Sequence, residues 1–95
     1  MMQVQIMGIA WYREHDYPEI LRIMADAHVL PMSYREWEQK AERLERETSS
    51  RGVRAVRAII DPKAFPSWCQ LRGLKVDANA RMQFANAEAY RIGRG

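Results

Sequence analysis

Residues 59–85 read IIDPKAFPSWCQLRGLKVDANARMQFA, and the local signals in this stretch decide the fold class. Asp61-Pro62 is typical of a helix start, because the aspartate can cap free first-turn amides and proline needs no donor there. Gly73-Leu74 indicates a left-handed helix stop with a hydrophobic contact behind it. Asp77 then caps a further helix. The stretch therefore predicts a strand end followed by two helices.

The N-terminal half predicts one strand and two helices. Residues 4–12 (VQIMGIAWY) are rich in β-branched and aromatic side chains, and Gly8 among them indicates a bulge or a close backbone approach. Residues 16–19 (DYPE), with Asp16 as the cap, open a helix that is expected to end near His28. Residues 33–36 (SYRE) form a capping box and start a second helix, which is highly charged.

Apolar spacing predicts which face of each element is buried. Residues 53–60 (VRAVRAII) form the second strand, with Val56, Ala58 and Ile60 as its interior positions. The charged helix has a narrow apolar stripe, and the last helix has a longer one. These stripes contain Trp37, Ala41 and Leu44 in the former and Ala78, Met82, Ala85 and Ala89 in the latter.

The order of elements is β-α-α-β-α-α, which makes the fold class α+β. If each helix of the first pair reverses the chain, the two strands are antiparallel neighbours packed against helices. A two-stranded sheet is marginal and its open edge is a template for pairing, so we expect a homodimer that completes four strands. Residues 1–95 form one small globular domain, with a frayed tail over residues 92–95.

Composition is that of an ordinary globular protein: 47% of residues are hydrophobic and 28% are charged. No apolar run approaches the roughly 20 residues of a membrane span, and the N-terminus lacks signal-peptide features. We therefore expect a cytoplasmic protein without membrane association. Cys69 is the single cysteine, so no intrachain disulfide or cysteine zinc site is available, and no cofactor is predicted.

Charge is divided unevenly along the chain. Residues 1–50 carry six basic and nine acidic side chains, whereas residues 51–95 carry nine basic and three acidic ones. A basic half is compatible with an anionic partner such as nucleic acid, or with a solvated surface alone. The candidate phosphate contacts are Arg51, Arg54, Arg57, Lys63, Arg72, Lys75 and Arg81.

The last two helices also permit a helix-turn-helix interpretation. Gly73 would be the turn glycine, and the following helix would carry polar readers of base edges. However, Asn79 stands where that motif usually has an aliphatic residue, and an αα-hairpin on a sheet needs the same glycine.

One cluster resembles a ligand site. Aromatic, cationic, imidazole and carboxylate groups converge where the first strand ends and a helix begins, which suits an anion. The candidate ligand-binding residues are Trp11, Tyr12, Arg13, His15 and Asp16. Cys69 lies in mid-helix and is expected to be a buried inert thiol, and the spacing of His15 and His28 matches no metal motif. No catalytic residue is assigned.

Three segments together resemble a family of small uncharacterised bacterial proteins. They are WYREHDYPEIL, LPMSYREW and IDPKAFPSWCQLRGLKVDANARMQFAN, anchored by Asp61-Pro62, Trp68-Cys69, Arg72-Gly73-Leu74 and the run from Asp77 to Ala85. The resemblance implies a bacterial, cytoplasmic, single-domain protein and transfers no activity, cofactor or site.

Three functional hypotheses follow. The first is a non-enzymatic protein-interaction or regulatory module that acts as a small dimer. The second is a nucleic-acid-binding protein that uses the basic C-terminal half. The third is a small-ligand binder or enzyme that uses the cluster from Trp11 to Tyr17.

Overall fold

The computed structural model describes residues 5–94, in which two strands and four α-helices occur in the predicted order. The predicted first strand began at Val4, and the predicted frayed tail ended at Gly95; both residues lie outside the described part. Two short 3-10 turns flank the first helix, at Glu14–Asp16 and Ala27–Val29. The elements are β1 (Ile6–Trp11), α1 (Tyr17–Ile23), α2 (Tyr34–Ser50), β2 (Arg54–Ile59), α3 (Phe65–Leu71) and α4 (Ala78–Arg94).

The two strands are parallel, so the predicted antiparallel pairing is wrong. Ile6 is opposite Arg54 and Trp11 is opposite Ile59. The error lies in α1, which has 7 residues and spans only about 10 Å, too little to carry the chain back along the sheet. Only α2 runs back along the full length of the sheet. A single crossover helix between two strands places the second strand parallel to the first.

Two contacts fix the direction of α2 against β1. The ring centroid of Trp37, near the start of α2, lies 5.1 Å from that of Trp11 at the end of β1. Thr48 Oγ1, near the end of α2, lies 3.9 Å from Met7 Sδ at the beginning of β1. The helix therefore runs antiparallel to both strands and covers one face of the sheet.

Helix α4 covers the opposite face. A Cβ placed on Gly8 would lie 2.0 Å from the carbonyl oxygen of Ala85, so the helix backbone rests directly on the strand backbone. The predicted close backbone approach at Gly8 is thus confirmed. The predicted interior positions of β2, Val56, Ala58 and Ile60, are also buried.

The buried stripe of α4 differs from the prediction. Ala80, Ala85 and Ala89 are buried, whereas Ala78 is exposed and Met82 is 57% exposed. Small residues face the sheet because the helix approaches the strand so closely.

Most of the predicted helix ends are correct. Ser33 Oγ accepts a hydrogen bond from the amide of Glu36, and Asp77 Oδ1 accepts one from the amide of Ala80. Gly73 has φ +66°, and the amide of Leu74 donates to Cys69 O at 2.9 Å, as in a Schellman motif.

Asp16 is the N-cap residue of α1, as predicted, but the predicted capping bond from its side chain is absent, and the predicted cap at Asp61 is wrong. Asp16 makes no side-chain capping bond to α1, because a 3-10 turn precedes that helix. Asp61 Oδ1 accepts from the amide of Lys63 in a turn, and α3 begins only at Phe65.

The described helices are short or strongly polar relative to a membrane span. Within residues 5–94, none is long and apolar enough to cross a bilayer.

Candidate functional site

The aromatic members of the predicted ligand cluster belong to the core. Trp11, Tyr12 and Tyr17 are buried, and they pack with Tyr34 and Trp37 in a group of five rings. The ring of Tyr12 lies 4.6 Å from that of Trp37, centroid to centroid. Edge-on and tilted contacts of this kind stabilise a fold beyond the area that the rings bury. These rings hold the C-terminal end of β1 to α1 and α2.

The hydroxyls of this group serve structural contacts. The Tyr34 hydroxyl donates to Tyr12 O at 3.0 Å, and the Tyr17 hydroxyl donates to Pro31 O. Burial raises the pKa of Tyr12 to about 12. A phenol with so high a pKa stays protonated at neutral pH and is a poor general base.

The polar members of the same cluster lie outside the core. Arg13 and His15 are exposed and flank Asp16, whose carboxylate lies 3.9 Å from Arg13 Nη1 and 3.4 Å from His15 Nε2. The structure thus divides the predicted ligand cluster into buried rings and an exposed charged turn. Within the described residues, no group of three or more His, Cys, Asp or Glu side chains is arranged to hold a metal ion.

Three of the seven predicted phosphate contacts are already engaged within the chain. Arg81 makes a two-pronged ion pair with Asp26, at 2.7 and 3.1 Å, and is buried. Arg57 pairs with Glu45 at 2.6 Å and lies over the ring of Trp11. The remaining engaged residue is Arg72, whose guanidinium lies 4.0 Å from the ring centroid of Trp68.

The other four candidates are exposed but lie at opposite ends of the sheet. Arg51 shortly precedes β2 and Arg54 is its first residue, whereas Lys63 follows its end. Lys75 precedes α4, whose first turn is held to Asp26 beside the same end. A strand of six residues separates the two pairs by about 20 Å. The structure therefore does not bring the seven predicted basic residues together.

Cys69 is fully buried in α3, and burial raises the pKa of its thiol. The thiolate is the reactive form, so both effects protect the side chain. We expect the folded protein to react with a disulfide reagent more than about tenfold slower than the urea-unfolded chain. Absorbance of the released thiolate measures both rates. Equal rates would show that Cys69 is accessible in the folded protein.

The outer edge of β1 is open within the described residues. The amide of Arg54 donates to Gln5 O at 2.8 Å and that of Ile60 donates to Trp11 O at 2.9 Å. In a parallel ladder, alternate residues of a strand bond to the same neighbour, so odd-numbered residues of β1 face β2. The amides and carbonyls of Ile6, Gly8 and Ala10 therefore point away from the sheet.

A groove of about 340 Å³ follows this edge, and we call it the β1-edge groove. Three consecutive residues of β1 line it and no residue of β2 does, which places it on the open side of the strand. Its walls come from α2 and α4, and the aromatic group closes one end. The lining residues are Gly8, Ile9, Ala10, Tyr12, Leu30, Trp37, Lys40, Ala41, Leu44, Arg81, Met82 and Ala85.

The walls of the groove are apolar and partly exposed. Leu44 on α2 is 37% exposed and Met82 on α4 is 57% exposed. The two charged lining residues are both basic, and Arg81 is neutralised by Asp26. Lys40 makes no ion pair within 4.0 Å among the described residues. An open strand edge between apolar walls suits another polypeptide better than a small polar substrate.

Sequence reasoning assigned Tyr12 and Arg81 to two other candidate sites, and it missed the groove residues Lys40, Leu44 and Met82. Leu44 and Met82 were assigned to buried stripes, and Lys40 was counted in a solvated helix face. What these three residues share is a position beside the unpaired strand, and that position can be recognised only once α2 and α4 are known to flank β1.

A smaller apolar pocket of about 110 Å³ lies beside α3. Phe65, Trp68 and Phe84 line it, and among the described residues that line it Asp61 alone is charged, with an exposed carboxylate. The three rings contact one another, with centroids 5.3–5.9 Å apart, so they pack as a cluster. One carboxylate beside such a cluster supplies no acid–base pair for catalysis.

Comparison with protein-family models, curated proteins and solved structures gave no significant match. The fold and the groove therefore define the class of this protein on their own: an α+β domain with a two-stranded parallel sheet and an open strand edge.

Proposed function

We propose that the protein is a non-enzymatic protein-interaction module that pairs the open edge of β1 with a strand of another polypeptide. One observation carries this proposal: Gly8 and Ala10 point their amides and carbonyls into a groove with apolar walls. In strand addition, main-chain hydrogen bonds give affinity and the side chains around them give specificity.

The size of the sheet also supports strand addition. Two strands are marginal for an independent sheet, and a third strand would bury the exposed parts of Leu44 and Met82. Covering that apolar surface and pairing the edge both stabilise the complex. The cytoplasm remains the proposed compartment, supported by the resemblance to bacterial proteins.

We expect a photoreactive benzoylphenylalanine in place of Met82, expressed in bacterial cells and irradiated, to form one discrete covalent adduct. Met82 lies on the groove wall beside any strand that docks on β1. Mass spectrometry of the adduct should map the cross-link to one extended segment. The same photoreactive residue in place of Arg46, which is exposed elsewhere on α2, should give no such adduct.

A change that blocks only the edge tests the mechanism of binding. Ala10→Pro removes an amide that faces away from β2, and proline is tolerated at an edge position of this kind. The Met82 adduct should disappear in this variant while circular dichroism stays unchanged. An adduct that persists in Ala10→Pro, or no adduct at all, would refute strand pairing at β1.

A further inference from the structure

We propose that the polypeptide that fills the β1-edge groove is a second copy of this chain. The two β1 strands pair antiparallel around a twofold axis, and the α2 helices of the two copies lie side by side. This inference rests on the proposed function, because it names the partner of the same edge.

The first support is a charge pattern on α2 that we call the α2 stripe. Its members are spaced by three or four residues, so they occupy an arc of about 80° along one flank of the helix. All of them are exposed, and its four charged members make no ion pair within 4.0 Å among the described residues. The stripe consists of Glu36, Lys40, Leu44, Glu47 and Arg51, and Lys40 and Leu44 also line the groove.

The α2 stripe is complementary to its own antiparallel copy. A twofold axis at Leu44 sets this residue against Leu44 of the partner subunit. The same axis sets Lys40 against Glu47 of the partner subunit, and Glu36 against Arg51 of the partner subunit. Each opposition occurs twice by symmetry, as in an isologous interface.

The same axis also pairs the strands. Trp37 contacts Trp11 and Thr48 contacts Met7, so Leu44, which lies between Trp37 and Thr48, is level with the middle of β1. Gly8, whose amide and carbonyl face outward, is in that middle. An axis through Leu44 therefore also places the outward-facing amides and carbonyls of the two β1 strands in antiparallel register, where they can hydrogen-bond to each other.

The spacing of the layers is compatible with this arrangement. Neighbouring strands are about 4.8 Å apart, so the midlines of the two-stranded sheets on either side of the twofold axis would lie about 9.6 Å apart. Packed helices lie 8–10 Å apart, so the two α2 helices would be in contact over the joined strands. On the face of the sheet that α4 covers, the β1 strand of the partner subunit would cover the exposed part of Met82 in each copy.

Sedimentation equilibrium of the full chain from micromolar to millimolar concentration tests this dimer. The wild-type protein should have the mass of two chains. Lys40→Glu should raise the dimer Kd about 100-fold, because it sets a carboxylate against Glu47 of the partner subunit. The double variant Lys40→Glu/Glu47→Lys restores an opposite-charge pair and should restore the dimer.

Arg46→Glu is the matched control, since it makes the same charge change on the other flank of α2. It should leave the Kd within about threefold of the wild-type value. A wild-type mass of one chain at millimolar concentration would overturn the inference, as would a double variant no tighter than Lys40→Glu. If the chain is monomeric while the Met82 cross-link joins it to a different polypeptide, the proposed function stands and the second copy does not.

Discussion

Gly8→Ala is expected to destabilise the protein by at least about 3 kcal/mol, which is a large share of the free energy of unfolding of an ordinary small domain. The added methyl group would lie 2.0 Å from the carbonyl oxygen of Ala85 and 2.5 Å from its carbonyl carbon. Those atoms are main chain and lie within α4, so the helix must shift as a body to relieve the overlap. Urea unfolding followed by tryptophan fluorescence and circular dichroism measures the loss.

Gly93→Ala provides the control for this effect. Its added methyl group would meet only the terminal carbon of the Ile6 side chain, at 2.6 Å, and that side chain can rotate away. Alanine also favours a helix by about 1 kcal/mol over glycine, so Gly93→Ala should be close to neutral. Ala85→Gly should not rescue Gly8→Ala, because the clashing atoms belong to the backbone. A Gly8→Ala protein within about 1 kcal/mol of wild type would contradict the observed approach of α4 to β1.

The role of Gly8 illustrates what the sequence can predict. A glycine inside an apolar strand indicates a close backbone approach, and the structure confirms one. The pattern did not identify α4 as the approaching element, because Ala85 is 77 residues further along the chain. Local signals of this kind likewise located the strands and most helix ends, since capping and glycine stops depend on neighbouring residues alone.

The direction of β2 depended on the length of α1, which local signals could not supply. Apolar residues continue to Ala27, so the spacing predicted a helix as far as His28. In the structure, the helix stops at Ile23, and the amide of Ala25 donates to Val76 O at 2.7 Å. A partner 51 residues away draws the chain out of the helix, and the strands become parallel as a consequence.

The sequence predicted one part of the candidate site, the open strand edge, but not the groove beside it. An open edge follows from having only two strands, and that expectation survives the change from antiparallel to parallel pairing. The groove itself was not predictable, since its walls come from α2 and α4, which are separated in sequence by β2 and α3. Leu44 and Met82 are apolar, and helical spacing alone cannot distinguish a core residue from one beside an open edge.

Asp26→Asn is the second change with a large expected effect, about 2–4 kcal/mol of destabilisation at neutral pH. Asp26 Oδ2 accepts from the amide of Ala78 at the start of α4, and both carboxylate oxygens pair with Arg81. Asparagine keeps an acceptor for the helix amide but leaves the guanidinium of Arg81, with its side chain only 9% exposed, without its hydrogen-bonded carboxylate. An unpaired buried charge costs more than the pair contributes, so Asp26→Asn/Arg81→Met should regain part of the loss. Glu88→Gln, which breaks an exposed pair with Arg91, should cost less than about 1 kcal/mol.

The pH dependence of the difference in unfolding free energy between wild type and Asp26→Asn shows whether the ion pair or the packing around Asp26 causes the loss. Hydrogen bonds from Arg81 hold the pKa of Asp26 below its ordinary value. A carboxyl whose pKa is lower in the folded state stabilises the protein above its unfolded pKa of about 4, and that contribution is lost as pH falls through the folded value. The gap in unfolding free energy between wild type and Asp26→Asn should therefore be constant from neutral pH down to about pH 5 and narrow below about pH 4. A gap that stays constant down to the acid limit of folding would show that the ion pair is not its source. The lost contribution would then belong to the packing of α4 against the loop after α1.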